Sequence, residues 1–186
     1  MHADHDPELN SDHNASTLFL PDEAATLALG AALAPALLSG QASGMVIFLE
    51  GDLGAGKTTL VRGLLRALGY ADKVKSPTYT MIELYAISRL NLYHFDFYRF
   101  DLAEEFLDAG FDEYFAGEGI CLVEWPEKAG AYLPPADLRL RLSVLADGRR
   151  AELRYGSEKG RQCLTNWISC ITSIPGATPS NSPPPR

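Results

Sequence analysis

The sequence predicts an α/β fold: a mostly parallel central sheet with antiparallel additions, flanked by helices. Three observations predict it. Met45-Val46-Ile47-Phe48-Leu49 is a continuous apolar run, the form taken by a strand buried on both faces of a parallel sheet. The Gly-rich stretch Gly51-Asp52-Leu53-Gly54-Ala55-Gly56-Lys57-Thr58 follows directly. Beyond it, Leu60, Val61, Leu64, Leu65 and Leu68 share one helical face, and Gly69 offers a stop. Strand, Gly-rich loop and helix, in that order, form a phosphate-binding P-loop, so the expected architecture is the P-loop NTPase fold.

The other elements follow along the chain. Ser16-Thr17-Leu18-Phe19-Leu20 reads as a short strand. Pro21-Asp22-Glu23 opens a helix, proline suiting the first turn and the acids suiting its positive end. Leu27, Ala31, Ala34 and Leu38 fall near helical spacing, and Gly40 closes the helix. Thr78–Tyr85 and Leu92–Tyr98, rich in aromatic and β-branched residues, read as a hairpin. Asp101-Leu102-Ala103-Glu104 has capping-box spacing and predicts a short helix ending near Gly110. Gly119-Ile120-Cys121-Leu122-Val123 is a second buried strand. Asp137–Leu145 and Ala151–Tyr155, separated by residues 146–150, form a terminal hairpin, and Leu164, Trp167, Ile168 and Ile171 mark a closing helix.

The chain has 186 residues, 46% of them hydrophobic and 22% charged, which suits one domain with a single real core. Residues 1–16 carry His2, His5 and His13 among acids, and residues 169–186 are rich in proline and serine. Both lack apolar periodicity and are expected to be flexible, leaving residues 17–168 as the folded domain. The irregular spacing of the three histidines gives no metal-ligand pattern. A net charge of −8 argues against the chain gripping a nucleic-acid backbone by itself, without excluding work on RNA through a partner. No signal peptide or membrane-length apolar run is evident, and Cys121, Cys163 and Cys170 lack metal-ligand spacing. Reduced thiols in a cytoplasmic protein are expected.

The spacing G-x-x-x-x-G-K-[ST] is met by Gly51, Gly56, Lys57 and Thr58. Glycines let backbone N–H groups turn inward around phosphates. Lys57 reaches the β- and γ-phosphates, Thr58 offers its hydroxyl to Mg²⁺, and the helix that follows adds its positive end. ATP or GTP is therefore the expected ligand. Hydrolysis needs more: a group to complete the metal shell and one to place the attacking water. Asp96 and Glu124 stand at the ends of predicted strands, where α/β proteins keep their ligands. Each is either a Mg²⁺ ligand or water-orienting base, or an exposed acid or ion-pair partner, with Arg99 the candidate partner. His94 is either a proton carrier or a packed strand histidine. Ser76-Pro77-Thr78-Tyr79-Thr80 is either a switch loop or a proline-stiffened turn, and Trp125 either stacks on a base or partner or belongs to the core.

Together these pieces resemble one family, the small TsaE (YjeE) P-loop ATPases of bacterial tRNA threonylcarbamoyladenosine synthesis. The resemblance is carried by Leu20-Pro21-Asp22-Glu23, Gly51 to Thr59, Ser76-Pro77-Thr78-Tyr79-Thr80, His94-Phe95-Asp96-Phe97-Tyr98-Arg99 and Leu122-Val123-Glu124-Trp125-Pro126, and runs from about residue 17 to about residue 168. It implies ATP and Mg²⁺ as cofactors. It also implies a nucleotide site of Asp22, Gly51, Gly54, Ala55, Gly56, Lys57, Thr58, Thr59 and Arg149, with Thr58 and Glu124 on the metal and Asp96 beside metal and γ-phosphate. Lys57, Asp96 and Glu124 would carry catalysis, and Ser76–Thr80 would report nucleotide state. The implied partners are TsaD and TsaB, TsaD doing the transfer to adenosine 37 while ATP hydrolysis resets the complex. An acidic chain with no basic face fits indirect contact with tRNA.

Two other readings of the P-loop stand beside this one. A small-molecule kinase would carry an arginine-rich lid, whereas Arg139, Arg141, Arg149, Arg150 and Arg154 all fall in the terminal hairpin. A non-hydrolysing nucleotide sensor would bind ATP only to dock onto a partner.

Overall fold

The computed structural model describes residues 15–40, 42–87, 90–171 and 178–179; the histidine-bearing leader through residue 14 and most of the chain after Ile171 lie outside the described residues. Along the chain come β1 (Ala15–Leu20), α1 (Glu23–Leu38), β2 (Val46–Glu50), α2 (Lys57–Ala67), β3 (Ile82–Ile87), β4 (Leu90–Asp96), α3 (Glu105–Asp108) and α4 (Asp112–Phe115). Then follow β5 (Ile120–Glu124), β6 (Leu138–Leu145), β7 (Gly148–Tyr155), α5 (Glu158–Ile171) and β8 (Thr178–Pro179), with 3-10 turns at Pro126–Lys128 and Gly130–Tyr132. The strands form one sheet in the order β3-β4-β5-β2-β6-β7-β1-β8. β4, β5, β2 and β6 run parallel, while the strands toward both edges pair antiparallel. This is the mixed α/β sheet that the sequence predicts.

Burial on both faces explains the parallel centre. On one face Ile47, Leu49, Leu122, Leu138 and Leu140 pack with α1, α2 and α5. On the other, Val46, Phe48, Cys121 and Val123 meet a cluster of Phe95, Phe97, Phe100, Phe106 and Phe111. α1 and α2 cross at two glycines. A Cβ on Gly30 would lie 2.0 Å from the Leu60 carbonyl oxygen, and one on Gly63 would lie 2.1 Å from that of Leu27. The Trp167 indole donates to the Leu29 carbonyl at 3.0 Å, tying α5 to α1.

Several local expectations need correction. Pro21 precedes α1 rather than entering it; Asp22 is the N-cap, its Oδ1 accepting from Ala25 N at 2.8 Å. The buried stripe of α1 is Leu29, Leu33 and Leu37, whereas Leu38 is exposed and Leu27 and Ala31 are half-buried. α1 touches both α2 and α5, so it is apolar on nearly every side and periodicity does not mark one inner face. β3 begins at Ile82, because residues 77–81 close a turn in which Met81 N bonds Pro77 O. Ahead of α3, the Glu105 carboxylate, not Asp101, makes the end contacts, accepting from the N–H groups of Asp101 and Leu102 at 2.8 and 2.9 Å. α4 has no counterpart in the sequence reading. The terminal hairpin closes over Ala146 and Asp147 alone, pairing Leu145 with Gly148. The first strand and the closing helix form as expected through Ser16 and Ile171, with Ala15 added to β1, so both elements extend past the 17–168 bounds.

The exposed side of β6 and β7 also carries more cation than expected. Arg139, Arg141, Arg150 and Arg154 occupy the outward positions together with Glu152. Arg139 and Arg141 both bond Glu50, at 2.8 and 3.0 Å, so carboxylates on the same face offset much of that charge.

Alanine normally stabilises an exposed helix by about 1 kcal/mol over glycine. Gly63→Ala should do the opposite, because its Cβ would strike backbone rather than a side chain. A loss of about 1–3 kcal/mol in urea unfolding is expected. Burial pushes the Cys121 thiol up to about 12 and that of Cys163 up to about 11, leaving the half-buried Cys170 accessible. Ellman's reagent at pH 8 should therefore titrate only Cys170 quickly in the native chain, and all three thiols after denaturation.

Candidate nucleotide and metal site

β2 delivers the Gly-rich loop at the carboxyl end of the parallel strands, and α2 leaves from it. The glycines are conformational requirements here: Gly51 and Gly56 have φ of 134° and 109°, and a Cβ on Gly51 would stand 2.3 Å from the Leu142 carbonyl oxygen. α2 starts at Lys57 with no side chain capping its first turn, so its leading N–H groups face the loop as a ready anion site. The Lys57 ammonium is buried. It donates to the carbonyls of Gly51 and Asp52, at 2.5 and 3.0 Å, and stands 4.2 Å from the centre of the Trp125 ring. Burial lowers its pKa, opposed by the carboxylates of Glu124 and Asp96.

The two strand-end acids lie side by side. β4 pairs with β5 so that Asp96 is in register with Glu124, on strands about 4.8 Å apart. Glu124 is buried, and its Oε1 takes two contacts: the Thr58 hydroxyl donates to it at 2.9 Å, and His94 Nε2 lies 2.9 Å away. Asp96, also buried, accepts from the hydroxyls of Ser76 and Thr78 on Oδ2 and from Tyr98 N on Oδ1 at 2.9 Å. Arg99 is not the ion-pair partner of either acid; its guanidinium lies over the Tyr79 ring at 4.2 Å.

These groups converge on a cleft of about 300 Å³ lined by Gly54, Gly56, Lys57, Thr58, Thr59, Ser76, Thr78, Asp96, Tyr98, Glu124, Trp125 and Arg149. Arg149 reaches it across the fold, donating through Nε to the Ala55 carbonyl at 2.8 Å. Asp22 stands apart: its carboxylate is spent on the α1 cap, and Glu23 is the acid from that corner that lines the cleft. Gly51 and Asp52 face a second groove, beside Trp125, Arg139 and Arg141. The His94 contact with Glu124 is the functional feature that sequence reasoning missed, since it depends on cross-strand register.

Among the described residues no cluster of three or more His, Cys, Asp or Glu could hold a metal by itself. The oxygens of Thr58, Glu124 and Asp96 nevertheless suit Mg²⁺, which is commonly held by one or two carboxylates together with substrate phosphates and water. No hydrogen bond reaches Glu124 Oε2 from the described residues, so the site retains a free carboxylate oxygen.

A sheet with a parallel centre, this loop at the carboxyl end of β2, a lysine and threonine opening the next helix, and acids ending the adjacent strands β4 and β5 defines a P-loop NTPase fold. The family model described as "Threonylcarbamoyl adenosine biosynthesis protein TsaE" matches residues 20–151, and the chain belongs to this family. Among its relatives, the tRNA threonylcarbamoyladenosine biosynthesis protein TsaE of Haemophilus influenzae is 41% identical over 150 residues, spanning 80% of this chain and 95% of that one. The protein of that name from Nostoc is 38% identical over 160 residues, spanning 84% and 88%. The crystal structure of YdiB from Bacillus subtilis superposes with a TM-score of 0.69 at 30% identity, over 83% of this chain and 95% of YdiB.

The Asp96 contacts generate a local prediction. Asp96→Ala would release the hydroxyls of Ser76 and Thr78 together. Amide hydrogen exchange should accelerate by about tenfold or more across residues 76–81 while β2 and β5 keep their protection, as expected for local opening.

Proposed function

We propose that this chain is the ATP-binding and hydrolysing subunit needed to form the threonylcarbamoyl group on adenosine 37 of tRNAs reading codons that begin with adenine. The observation that carries this reading is the meeting of Thr58, Glu124 and Asp96 with Lys57 and the α2 N-terminus in one cleft. Family membership supplies the pathway. In this reading the backbone of residues 51–56 and the first turn of α2 wrap the phosphates. Lys57, now on the loop carbonyls, would bind phosphate oxygen, and Thr58 and Glu124 would hold the metal. Asp96 orients the attacking water, tethered to Ser76 and Thr78 so that those residues sense the γ-phosphate. Arg149 steadies the loop through the Ala55 carbonyl and adds positive charge at the cleft. Bound Mg²⁺ would supply neutralisation of the charge developing on the phosphate oxygens.

The small-molecule kinase is less well supported. Among the described residues Arg149 is the sole arginine lining the cleft, and Arg139 and Arg141 are committed to Glu50 outside it. No helix among the described residues is long and apolar enough to cross a membrane. TsaD and TsaB are the proposed partners, in the cytoplasm, with tRNA contacted through them. The exposed arginines of β6 and β7 do not reverse this, since Glu50 and Glu152 interrupt them and a polyanion prefers uninterrupted cations.

Two substitutions separate the roles. Lys57→Ala should abolish detectable nucleotide binding by calorimetry. Glu124→Ala should leave ATP affinity within about tenfold while turnover with TsaB and TsaD falls by about 10²-fold or more, since it serves the metal rather than phosphate contact. Equal loss of ATP affinity in both variants would overturn that division. Absent turnover in the full complex with intact ATP binding would favour the sensor.

A further inference from the structure

His94 is fully buried on β4, below the cleft. Its Nε2 stands 2.9 Å from Glu124 Oε1. An ionised carboxylate oxygen only accepts, so Nε2 carries the hydrogen and donates it; in a neutral imidazole Nδ1 is then the bare nitrogen. Nδ1 is the buried side-chain polar atom with no hydrogen-bond partner among the described residues. An imidazole used only as filler would carry that desolvation cost with no return, and an apolar side chain of similar size would avoid it. What the imidazole contributes is therefore at Nε2.

The return is visible at Glu124. Two donors from different elements, Thr58 Oγ1 on α2 and His94 Nε2 on β4, meet the same oxygen, Oε1. Together they restrict rotation of the carboxyl group and leave Oε2 unbonded in a residue that lines the cleft. The Thr58 hydroxyl gives its single hydrogen to Oε1 and keeps lone pairs for a cation. We propose that His94 is a positioning residue that sets the Glu124 carboxylate so that Oε2 faces the Mg²⁺–nucleotide cleft. This rests on the reading of Glu124 as a metal ligand. His94 touches neither metal nor phosphate; its effect passes through Glu124.

The test uses the full chain with a fluorescent ADP analogue, bound first in EDTA and then with Mg²⁺ titrated in. Wild type is compared with His94→Gln, His94→Asn, His94→Leu and Glu124→Gln, with thermal unfolding followed in parallel. Glutamine places an amide nitrogen where Nε2 was, and asparagine places one nearer Nδ1. His94→Asn and His94→Leu should raise the Mg²⁺ concentration for half-saturation by about 10–100-fold, the usual effect of losing a partner behind a ligand, with affinity in EDTA within about twofold of wild type. His94→Gln should recover most of the loss. Nitrogen NMR of the metal-free wild type should show Nε2 protonated, and a bare Nε2 would overturn the proposal. If the leucine variant does not fold, the glutamine and asparagine pair decides, and equal Mg²⁺ dependence in those two overturns the proposal. If Glu124→Gln shifts the Mg²⁺ dependence and no His94 variant does, only the positioning role fails. If Glu124→Gln shifts nothing, the metal-ligand reading fails and the inference with it.

Discussion

A buried carboxylate is tolerated only when donors surround it, and Glu124 imposes that demand on the centre of this fold. It ends a strand in which every residue is buried, so solvent can reach the carboxylate only from the cleft, and Oε1 must take its partners from the protein. The donors must come from neighbouring elements, and they come from the first turn of α2 and from β4. β4 can deliver His94 to Glu124 only by running parallel beside β5 in this register, which also sets Asp96 next to Glu124. β2 on the other side of β5 brings the phosphate loop to the same level. The order β4-β5-β2 is thus the arrangement in which one buried oxygen finds its partners.

Packing then fixes how deep those partners sit. On the helical face, the Gly30 and Gly63 crossing lets α1 and α2 approach at backbone distance, which locates the helix that begins with Lys57 and Thr58. On the opposite face, Phe95 and Phe97 join the phenylalanine cluster, and Phe97 N bonds the Glu124 carbonyl at 3.1 Å. The segment His94-Phe95-Asp96-Phe97 therefore divides by strand alternation: Asp96 lines the cleft with His94 below it on the same face, while the two phenylalanines anchor the strand from behind. The same four residues supply both buried polar side chains at the site and their apolar backing.

Features local to a few residues were legible in the sequence. The loop spacing marked Gly51 to Thr58, the apolar runs marked β2 and β5, and the position of Asp96 and Glu124 at strand ends marked both as candidates. What the sequence left open depends on tertiary contact. His94 and Glu124 are thirty residues apart, and their meeting follows from register. Arg149 and the Ala55 carbonyl it steadies are 94 apart. The inner stripe of α1 was hidden because helices cover it on two sides, and the Glu105 contact was hidden because Asp101 and Glu104 offered a more familiar spacing.

The residue after Glu124 shows how the cleft gains its last wall. In a strand that continued, Glu124 and Trp125 would point to opposite faces, and the indole would leave the site. Trp125 instead takes φ 59° and ψ 48°, a left-handed conformation costly for a bulky residue and further disfavoured by the proline that follows. A cost of about 1–3 kcal/mol persists only where the surroundings over-determine it. Here they do: the Phe97 N–H holds the Glu124 carbonyl, Lys128 N bonds the Trp125 carbonyl at 3.1 Å, and the Tyr98 ring lies 5.1 Å from the indole. The kink lets two consecutive side chains face one cleft, the carboxylate toward Thr58 and the indole beneath the Lys57 ammonium. Lys57 is thus framed by loop carbonyls, an aromatic face and two carboxylates, a frame that depends on the kink at Trp125 for its aromatic side.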